Sequence, residues 1–86
     1  MSHANFEKMV REALYAIAPD LEGEPIDPAL RYRDQFEFDS MDFLHFVMEL
    51  HRLTGVEISE SDYTQVETLA GAVAYLTDRS AAGSPQ

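Results

Sequence analysis

The sequence predicts an all-α protein, a small four-helix bundle with three longer helices, one short helix and a long loop between the first and second helices. Apolar residues recur at i, i+3, i+4 and i+7 in three segments, which is the spacing of amphipathic helices. No stretch of useful length alternates between apolar and polar residues as a strand does. A chain of 86 residues with 45% hydrophobic residues can fill one core. We therefore expect one helical domain over residues 1–79 and a disordered tail over residues 80–86.

The first predicted helix ends before Pro19, which cannot continue a helix. Ser2 or Asn5 is available as its N-cap, because both side chains can accept a hydrogen bond from a free backbone N–H group. Its apolar residues share one face: Phe6, Met9, Val10, Ala13, Leu14 and Ile17.

The long loop covers residues 19–39, where glycine, prolines and acidic residues interrupt any helical pattern. One short turn is expected after Asp27-Pro28, since aspartate can cap a turn and proline suits its first position. The loop also carries scattered apolar residues, which we expect to pin it over the core: Leu21, Ile26, Leu30, Phe36 and Phe38.

The second predicted helix runs from Ser40 to Leu53, and Thr54-Gly55 closes it, because glycine takes the left-handed C-terminal position without steric cost. Its core stripe consists of Phe43, Phe46, Val47, Leu50 and Leu53. A second apolar stripe consists of Met41, Leu44 and Met48. So small a chain cannot bury a helix on every side, so this stripe is exposed for a partner or it seals the edge of the core under the loop.

The rest of the chain is expected to form one extended segment, a short helix and a last helix. The segment Val56-Glu57-Ile58 is expected to be extended, and Ser59 to Asp62 offer caps for a short helix that ends at Val66. Thr68 is expected to cap the last helix. The core face of that helix consists of Leu69, Ala72, Val73 and Leu76.

The chain carries a formal net charge of −10, which excludes a surface that binds nucleic acid through its phosphates. Residues 34–67 hold nine acidic residues and one basic residue, Arg52, so partners with basic patches are favoured. There is no cysteine, which excludes disulfides and thiolate chemistry. No apolar run approaches the roughly 18 residues of a membrane-spanning helix. We expect a cytoplasmic monomer that does not insert into membranes.

Ser40 at the head of the second predicted helix has two compatible interpretations. Serine is a favoured N-cap, and it also stands where a covalently attached phosphate is well tolerated, at the positive end of the helix dipole. Asp39 and Asp42 are interpreted as partners of that dipole. We expect no catalytic residues, because Gly-x-Ser-x-Gly and phosphate-binding glycine-rich motifs are missing. We expect no metal site either, because His45 and Glu49 offer too few ligands.

Residues 34–69 resemble an acyl carrier protein, and the motif that carries the resemblance is Asp39-Ser40-Met41-Asp42. The resemblance implies that Ser40 accepts 4′-phosphopantetheine from coenzyme A through a phosphopantetheinyl transferase. It further implies that Asp39 orients the site, and that partners contact Met41, Asp42, Leu44 and Met48. The arm's thiol then holds acyl groups as thioesters for a loading ligase or synthase and for acyl-transferring enzymes.

The same helix departs from the family in its charges, because His45, His51 and Arg52 stand where acidic residues are frequent. His45 and Arg52 are therefore counted among the partner-recognition residues. This departure indicates a specialised carrier, in a lipid or secondary-metabolite pathway. The high acidity favours a free-standing acyl carrier. Two alternatives stay open: an aminoacyl or peptidyl carrier, and an unmodified acidic interaction module in which Ser40 only caps its helix.

Overall fold

The computed structural model describes the backbone of residues 3–83 and the side chains of residues 5–80. Four α-helices follow one another along the chain: α1 (His3–Ile17), α2 (Tyr32–Gln35), α3 (Ser40–Thr54) and α4 (Leu69–Gly83). Two 3₁₀ helices lie between them, the first over Pro19–Leu21 and the second over Glu60–Val66. No strand occurs within residues 3–83. The predicted all-α class is confirmed. The three longer helices of the prediction are α1, α3 and α4, and the predicted short helix is the second 3₁₀ helix.

Helix α1 lies at the centre of the packing and contacts both α3 and α4. Its buried residues are Phe6, Val10, Ala13 and Leu14, as its periodicity predicts. Met9 and Ile17 are partly buried beside them. The expectation for Asn5 is wrong, because Asn5 lies inside α1 and not at its start. Ser2, the alternative cap, lies outside the described residues.

The loop between α1 and α3 is more ordered than its sequence predicts. The expected turn is present: Asp27 Oδ1 accepts a hydrogen bond from the backbone N–H of Ala29 at 3.0 Å. The side chain of Gln35 brackets this turn, because its Nε2 donates to the carbonyl oxygens of Asp27 and Leu30 at 2.9 and 3.0 Å. Helix α2 was not predicted. It is tied to the chain before α4 by a hydrogen bond from Tyr32 N to Glu67 O of 3.0 Å.

Three of the five apolar loop residues pin the loop to the core as expected, namely Leu21, Ile26 and Phe38. Phe36 is partly buried against it. Leu30 does not fit the expectation, since 42% of it is exposed.

Helix α3 presents Phe46, Val47 and Leu50 to the core, and it holds Phe43 and Leu53 at the edge of that core. Its C-terminal end is closed by Gly55, which has a φ of 73° and donates its N–H to His51 O at 2.8 Å. A residue with a Cβ is strained in this left-handed conformation, so the sequence position of Gly55 sets the length of α3.

The second 3₁₀ helix is joined to α4 through Asp62. Its Oδ2 accepts hydrogen bonds from Tyr75 Oη at 2.8 Å and from Arg79 at 2.7 Å. Ser59 precedes this helix, but its hydroxyl contacts the side chains of Ser61 and Asp62 instead of capping a backbone N–H group.

Thr68 caps α4 as predicted, because its Oγ1 accepts a hydrogen bond from Gly71 N at 2.9 Å. The buried residues of α4 are Leu69, Ala72, Tyr75 and Leu76, and Val73 is partly buried. The helix is described as far as Gly83, so it enters the segment expected to be a tail; residues 84–86 lie outside the described residues. Among the helices of residues 3–83, none combines the length and apolar character needed to cross a bilayer.

Candidate functional site

The head of α3 is held by two aspartates in a capping box. Asp39 Oδ1 accepts a hydrogen bond from Asp42 N at 2.9 Å, and Asp42 Oδ2 accepts one from Asp39 N at 3.2 Å. Asp39 is the N-cap and Ser40 is the first residue of the helix. The expectation that Ser40 caps α3 is therefore wrong, because a carboxylate one residue earlier does so.

The Ser40 hydroxyl is left available by this arrangement. Ser40 is exposed, and no hydrogen bond joins its hydroxyl to a residue that the structure describes. The backbone N–H groups of Ser40 and Met41 belong to the first turn of α3, where a helix offers no carbonyl partner. A negatively charged group attached to Ser40 Oγ is thus placed beside unpaired N–H groups and the positive end of the helix dipole.

A second feature of α3 is its exposed apolar stripe, which consists of Met41, Leu44 and Met48. Their exposed fractions are 58%, 38% and 60%, far above those of core residues. The alternative that these side chains seal the edge of the core is wrong. His45 and Arg52 are exposed on the same face, each one turn further along the helix than Met41 and Met48 respectively. The stripe begins directly beside Ser40.

Two basic residues of α3 have local partners. Arg52 forms an ion pair and hydrogen bonds with Glu49, and this interaction lowers the pKa of the Glu49 carboxyl. His51 Nδ1 lies 3.0 Å from Val56 O, so the ring donates to this carbonyl when Nδ1 is protonated. His51 therefore helps to hold the turn after α3. No group of three His, Asp or Glu side chains within the described part of the chain is placed to hold a metal ion.

A cavity of about 290 Å³ lies beside Ser40. One wall comes from the start of α2, namely Arg31, Tyr32 and Arg33, and from Phe38 in the chain before α3. The other comes from the head of α3 and the chain before α4, namely Asp39, Ser40, Phe43 and Glu67. Sequence reasoning missed the first wall, because α2 was not predicted. Its one visible signal is the pair of arginines that flank Tyr32 directly before the acidic middle of the chain.

Tyr32 is the most unusual residue of this cavity. It is 1% exposed, and its ring makes edge contacts with Phe38 and Phe46, with centroid distances of 5.6 and 5.1 Å. Its hydroxyl is buried without a hydrogen-bond partner among the described residues. Burial raises the pKa of the Tyr32 phenol, so the group stays neutral. A buried hydroxyl without a partner is rare and destabilising, because it has lost its hydrogen bonds to water.

The two arginines of the cavity differ in their pairing. Arg31 Nε donates to Asp34 Oδ2 at 2.8 Å, and this contact raises the pKa of the Arg31 guanidinium. Arg33 is exposed and forms no ion pair with any residue that the structure describes. Arg33 is thus the cation beside Ser40 whose charge is not already balanced by a described carboxylate.

Two comparisons with known proteins bear on the family of the chain. The family model described as "Phosphopantetheine attachment site" matches residues 8–76 of the chain. Over 57 residues the chain is 30% identical to a protein named "Acyl carrier protein" from Rubrobacter xylanophilus, and the matched stretch covers 66% of this chain and 70% of that protein. Both matches include most of the fold and the head of α3.

Proposed function

The chain belongs to the phosphopantetheine-attachment family of carrier proteins, and from this premise we propose that Ser40 bears the arm and that the protein presents acyl groups to partner enzymes. Members of the family are carriers and not enzymes, and their cofactor is covalently bound 4′-phosphopantetheine. When attached, the arm supplies a thiol that holds an acyl group as a thioester. The chain, which has no cysteine, supplies no thiol of its own.

The observation that carries the proposal is the free hydroxyl of Ser40 at the start of a 15-residue helix. Three serines lie within residues 8–76: Ser40, Ser59 and Ser61. The hydroxyls of Ser59 and Ser61 are 3.1 Å apart and contact each other, and Ser59 also donates to Asp62. Ser40 is the one of the three with an unbonded, exposed hydroxyl among the described residues and a helix dipole directed at it.

The residues around Ser40 fit a phosphodiester attached there. Asp39 and Asp42 fix the first turn of α3 through the capping box, so the position of Ser40 does not depend on its own side chain. Asp39 orients the site in this sense. The N–H groups of the first turn and the guanidinium of Arg33 provide the positive charge that a phosphodiester needs.

The apolar stripe of Met41, Leu44 and Met48 is proposed as the surface that partner enzymes contact. Exposed methionine and leucine side chains adapt to surfaces of different shape, which suits a carrier that meets several enzymes in turn. Asp42, next to Met41 in the first turn of α3, is also proposed as a contact, and His45 and Arg52 add basic groups along the stripe. The proposed partners are a phosphopantetheinyl transferase, a loading ligase or synthase, and acyl-transferring enzymes.

The basic groups of α3 support a specialised acyl carrier, because partners that read acidic side chains find His45 and Arg52 in their place. Each exposed charge pair contributes only about 0–1 kcal/mol, but several together change the choice of partner. The net charge of −10 supports a free-standing carrier. We also propose that this carrier is a cytoplasmic monomer, in line with a core that needs no disulfide.

The experiment is an intact-mass measurement of the purified protein after incubation with coenzyme A, Mg²⁺ and a promiscuous phosphopantetheinyl transferase. The wild-type protein is expected to gain one phosphopantetheine, and Ser40→Ala is expected to gain none. Ser59→Ala is the matched control and is expected to be modified like the wild type. An unchanged wild-type mass, with a reference carrier modified in the same tube, supports the unmodified interaction module. Modification of Ser40→Ala overturns Ser40 as the attachment site.

A further inference from the structure

We propose that the cavity beside Ser40 is a docking site for the first part of the phosphopantetheine arm, with Arg33 next to its phosphodiester and the Tyr32 hydroxyl bonded to its first neutral polar group. This inference rests on the proposed function of Ser40. It adds a docked state to a tether that otherwise moves freely, and it assigns two residues to that state.

The position of the cavity selects its occupant. Ser40 is itself one of the lining residues, so a chain attached to Ser40 Oγ starts at the edge of the cavity. The volume of about 290 Å³ is large enough for the several heavy atoms of a short segment of the arm, since one water takes about 30 Å³. The cargo is at the far end of the arm, whereas the segment within immediate reach of the cavity is the one nearest the phosphate.

The charges of the cavity favour an attached anion over a free one. Arg33 has no described ion-pair partner, whereas Arg31 is paired with Asp34 at 2.8 Å. Two carboxylates, Asp39 and Glu67, also line the cavity. A free phosphate ion is repelled by these acids, but a phosphodiester bonded to Ser40 is held beside Arg33 by its covalent bond. The remainder of the arm is neutral, so the same carboxylates do not oppose it.

The remaining lining matches the next groups of the arm. After the phosphodiester the arm carries a carbon with two methyl groups, then a hydroxyl and an amide. Phe38 and Phe43 provide an apolar wall for the methyl groups. Tyr32 also lines the cavity, and its buried hydroxyl has no described partner, so the hydroxyl or amide of the arm supplies the missing hydrogen bond.

Docking requires a local shift, because the Tyr32 hydroxyl is closed off from solvent in this structure. Helix α2 is the element that can move. It is four residues long, and its start is joined to the chain before α4 by the hydrogen bond from Tyr32 N to Glu67 O. Outside Tyr32 the four residues of α2 are exposed or half-buried, so the contacts that the shift must rearrange are those of the Tyr32 ring with Phe38 and Phe46.

The experiment uses the full chain with the arm installed from coenzyme A that is ¹³C-labelled in the two methyl groups, and it follows the mobility of those methyl groups by NMR relaxation. In the wild type we expect restricted methyl motion and contacts from the methyl groups to the rings of Phe38 and Phe43. Tyr32→Phe and Arg33→Gln are each expected to lower the ratio of docked to undocked arm about two- to tenfold. Tyr75→Phe is the matched control, because it removes a tyrosine hydroxyl that does not line the cavity, and it is expected to leave this ratio unchanged.

The outcomes separate this inference from the proposed function. If intact mass shows no arm on Ser40, the proposed function fails. If the arm is present but its methyl groups move as freely as in coenzyme A, or if Tyr32→Phe and Tyr75→Phe give the same ratio, the docking site is overturned. The amide spectra of the variants without the arm, compared with the wild type, establish that each one folds.

Discussion

Asp39 and Asp42 exchange hydrogen bonds across the first turn of α3, each carboxylate accepting from the other's backbone N–H group, at 2.9 and 3.2 Å. Ser40 lies between them and takes no part in this exchange. The hydrogen bonds that hold the start of α3 therefore do not involve the hydroxyl that is proposed to be modified. A carrier benefits from this separation, because attachment of the arm to Ser40 breaks none of the bonds that hold the helix.

The first prediction concerns Ser40→Ala. Because the hydroxyl has no hydrogen bond to a described residue and alanine favours helices, we expect the free energy of unfolding to change by less than about 0.5 kcal/mol. Urea unfolding of the unmodified proteins measures this change. A loss of about 1 kcal/mol or more is the value typical of a removed N-cap and contradicts the assignment of Asp39 as the cap.

The second prediction concerns Asp39. Asp39→Ala removes the acceptor for Asp42 N and is expected to lower the free energy of unfolding by about 0.5–2 kcal/mol. It is also expected to slow the modification of Ser40, because the first turn of α3 frays. Asp39→Asn keeps an acceptor oxygen and serves as the control, with most of the stability retained. Urea unfolding and a time course of intact mass provide the two readouts.

The third prediction compares two tyrosine hydroxyls in the protein without the arm. Tyr32→Phe removes a buried hydroxyl that has no described partner, so stability is expected to stay level or to rise, by at most about 1–3 kcal/mol. Tyr75→Phe removes a hydrogen bond of 2.8 Å to Asp62 and is expected to lower stability by about 1.5–3 kcal/mol. Urea unfolding of both variants tests the contrast, and a larger loss for Tyr32→Phe than for Tyr75→Phe refutes it.

The fourth prediction is an alkaline unfolding transition. Burial raises the pKa of the Tyr32 phenol above its ordinary value of about 10, so the folded state holds this proton more tightly than the unfolded state does. The neutral Tyr32 phenol does not reduce the free energy of unfolding below a pH of about 10. Above that pH the free energy of unfolding falls by about 1.4 kcal/mol for each further pH unit, until the pKa of the folded state is reached.

Circular dichroism, recorded together with tyrosinate absorbance as the pH is raised, measures this transition. Tyr32→Phe lacks the phenol and is expected to unfold at a higher pH than the wild type. The pKa of Tyr75 is also raised, mainly by burial and in addition by its hydrogen bond to Asp62. Tyr75 is present in both proteins, so it does not affect the comparison. Equal unfolding midpoints for the two proteins count against a buried neutral phenol at position 32.

The sequence predicts the long helices because each repeats its apolar residues over several turns. Pro19 and Gly55 mark two ends, since each restricts the backbone through its own covalent structure. For the second apolar stripe of α3 the sequence leaves two positions open, exposed or at the edge of the core, and the structure places it at the surface. The cap of α3 was assigned to the wrong residue, although Asp39 and Asp42 have the spacing of a capping box.

Helix α2 and the cavity beside Ser40 are not predictable in this way. Four residues show no periodicity, and α2 is held by bonds between residues distant along the chain, such as Tyr32 N to Glu67 O. The sequence also cannot predict that the Tyr32 hydroxyl lacks a partner. In an unfolded chain this hydroxyl is bonded to water, and it loses those bonds only when the core packs around it. Tyr75 was missed as a core residue for a related reason: its ring is buried while its hydroxyl reaches Asp62.

The fifth prediction separates the two faces of α3. Met48 is 60% exposed and Leu50 is fully buried, although the two residues are only two positions apart. Met48→Ala is expected to change the free energy of unfolding by less than about 0.5 kcal/mol, whereas Leu50→Ala is expected to lower it by about 2–5 kcal/mol.

If the stripe is the surface that the transferase contacts, Met48→Ala also raises the KM for the carrier. Truncation of a central apolar contact weakens binding by about 1 kcal/mol or more, which corresponds to about fivefold or more in KM. Initial rates of modification at a series of carrier concentrations measure KM, and Glu57→Ala, at an exposed residue after α3, is the surface control. A normal KM for Met48→Ala removes Met48 from partner recognition.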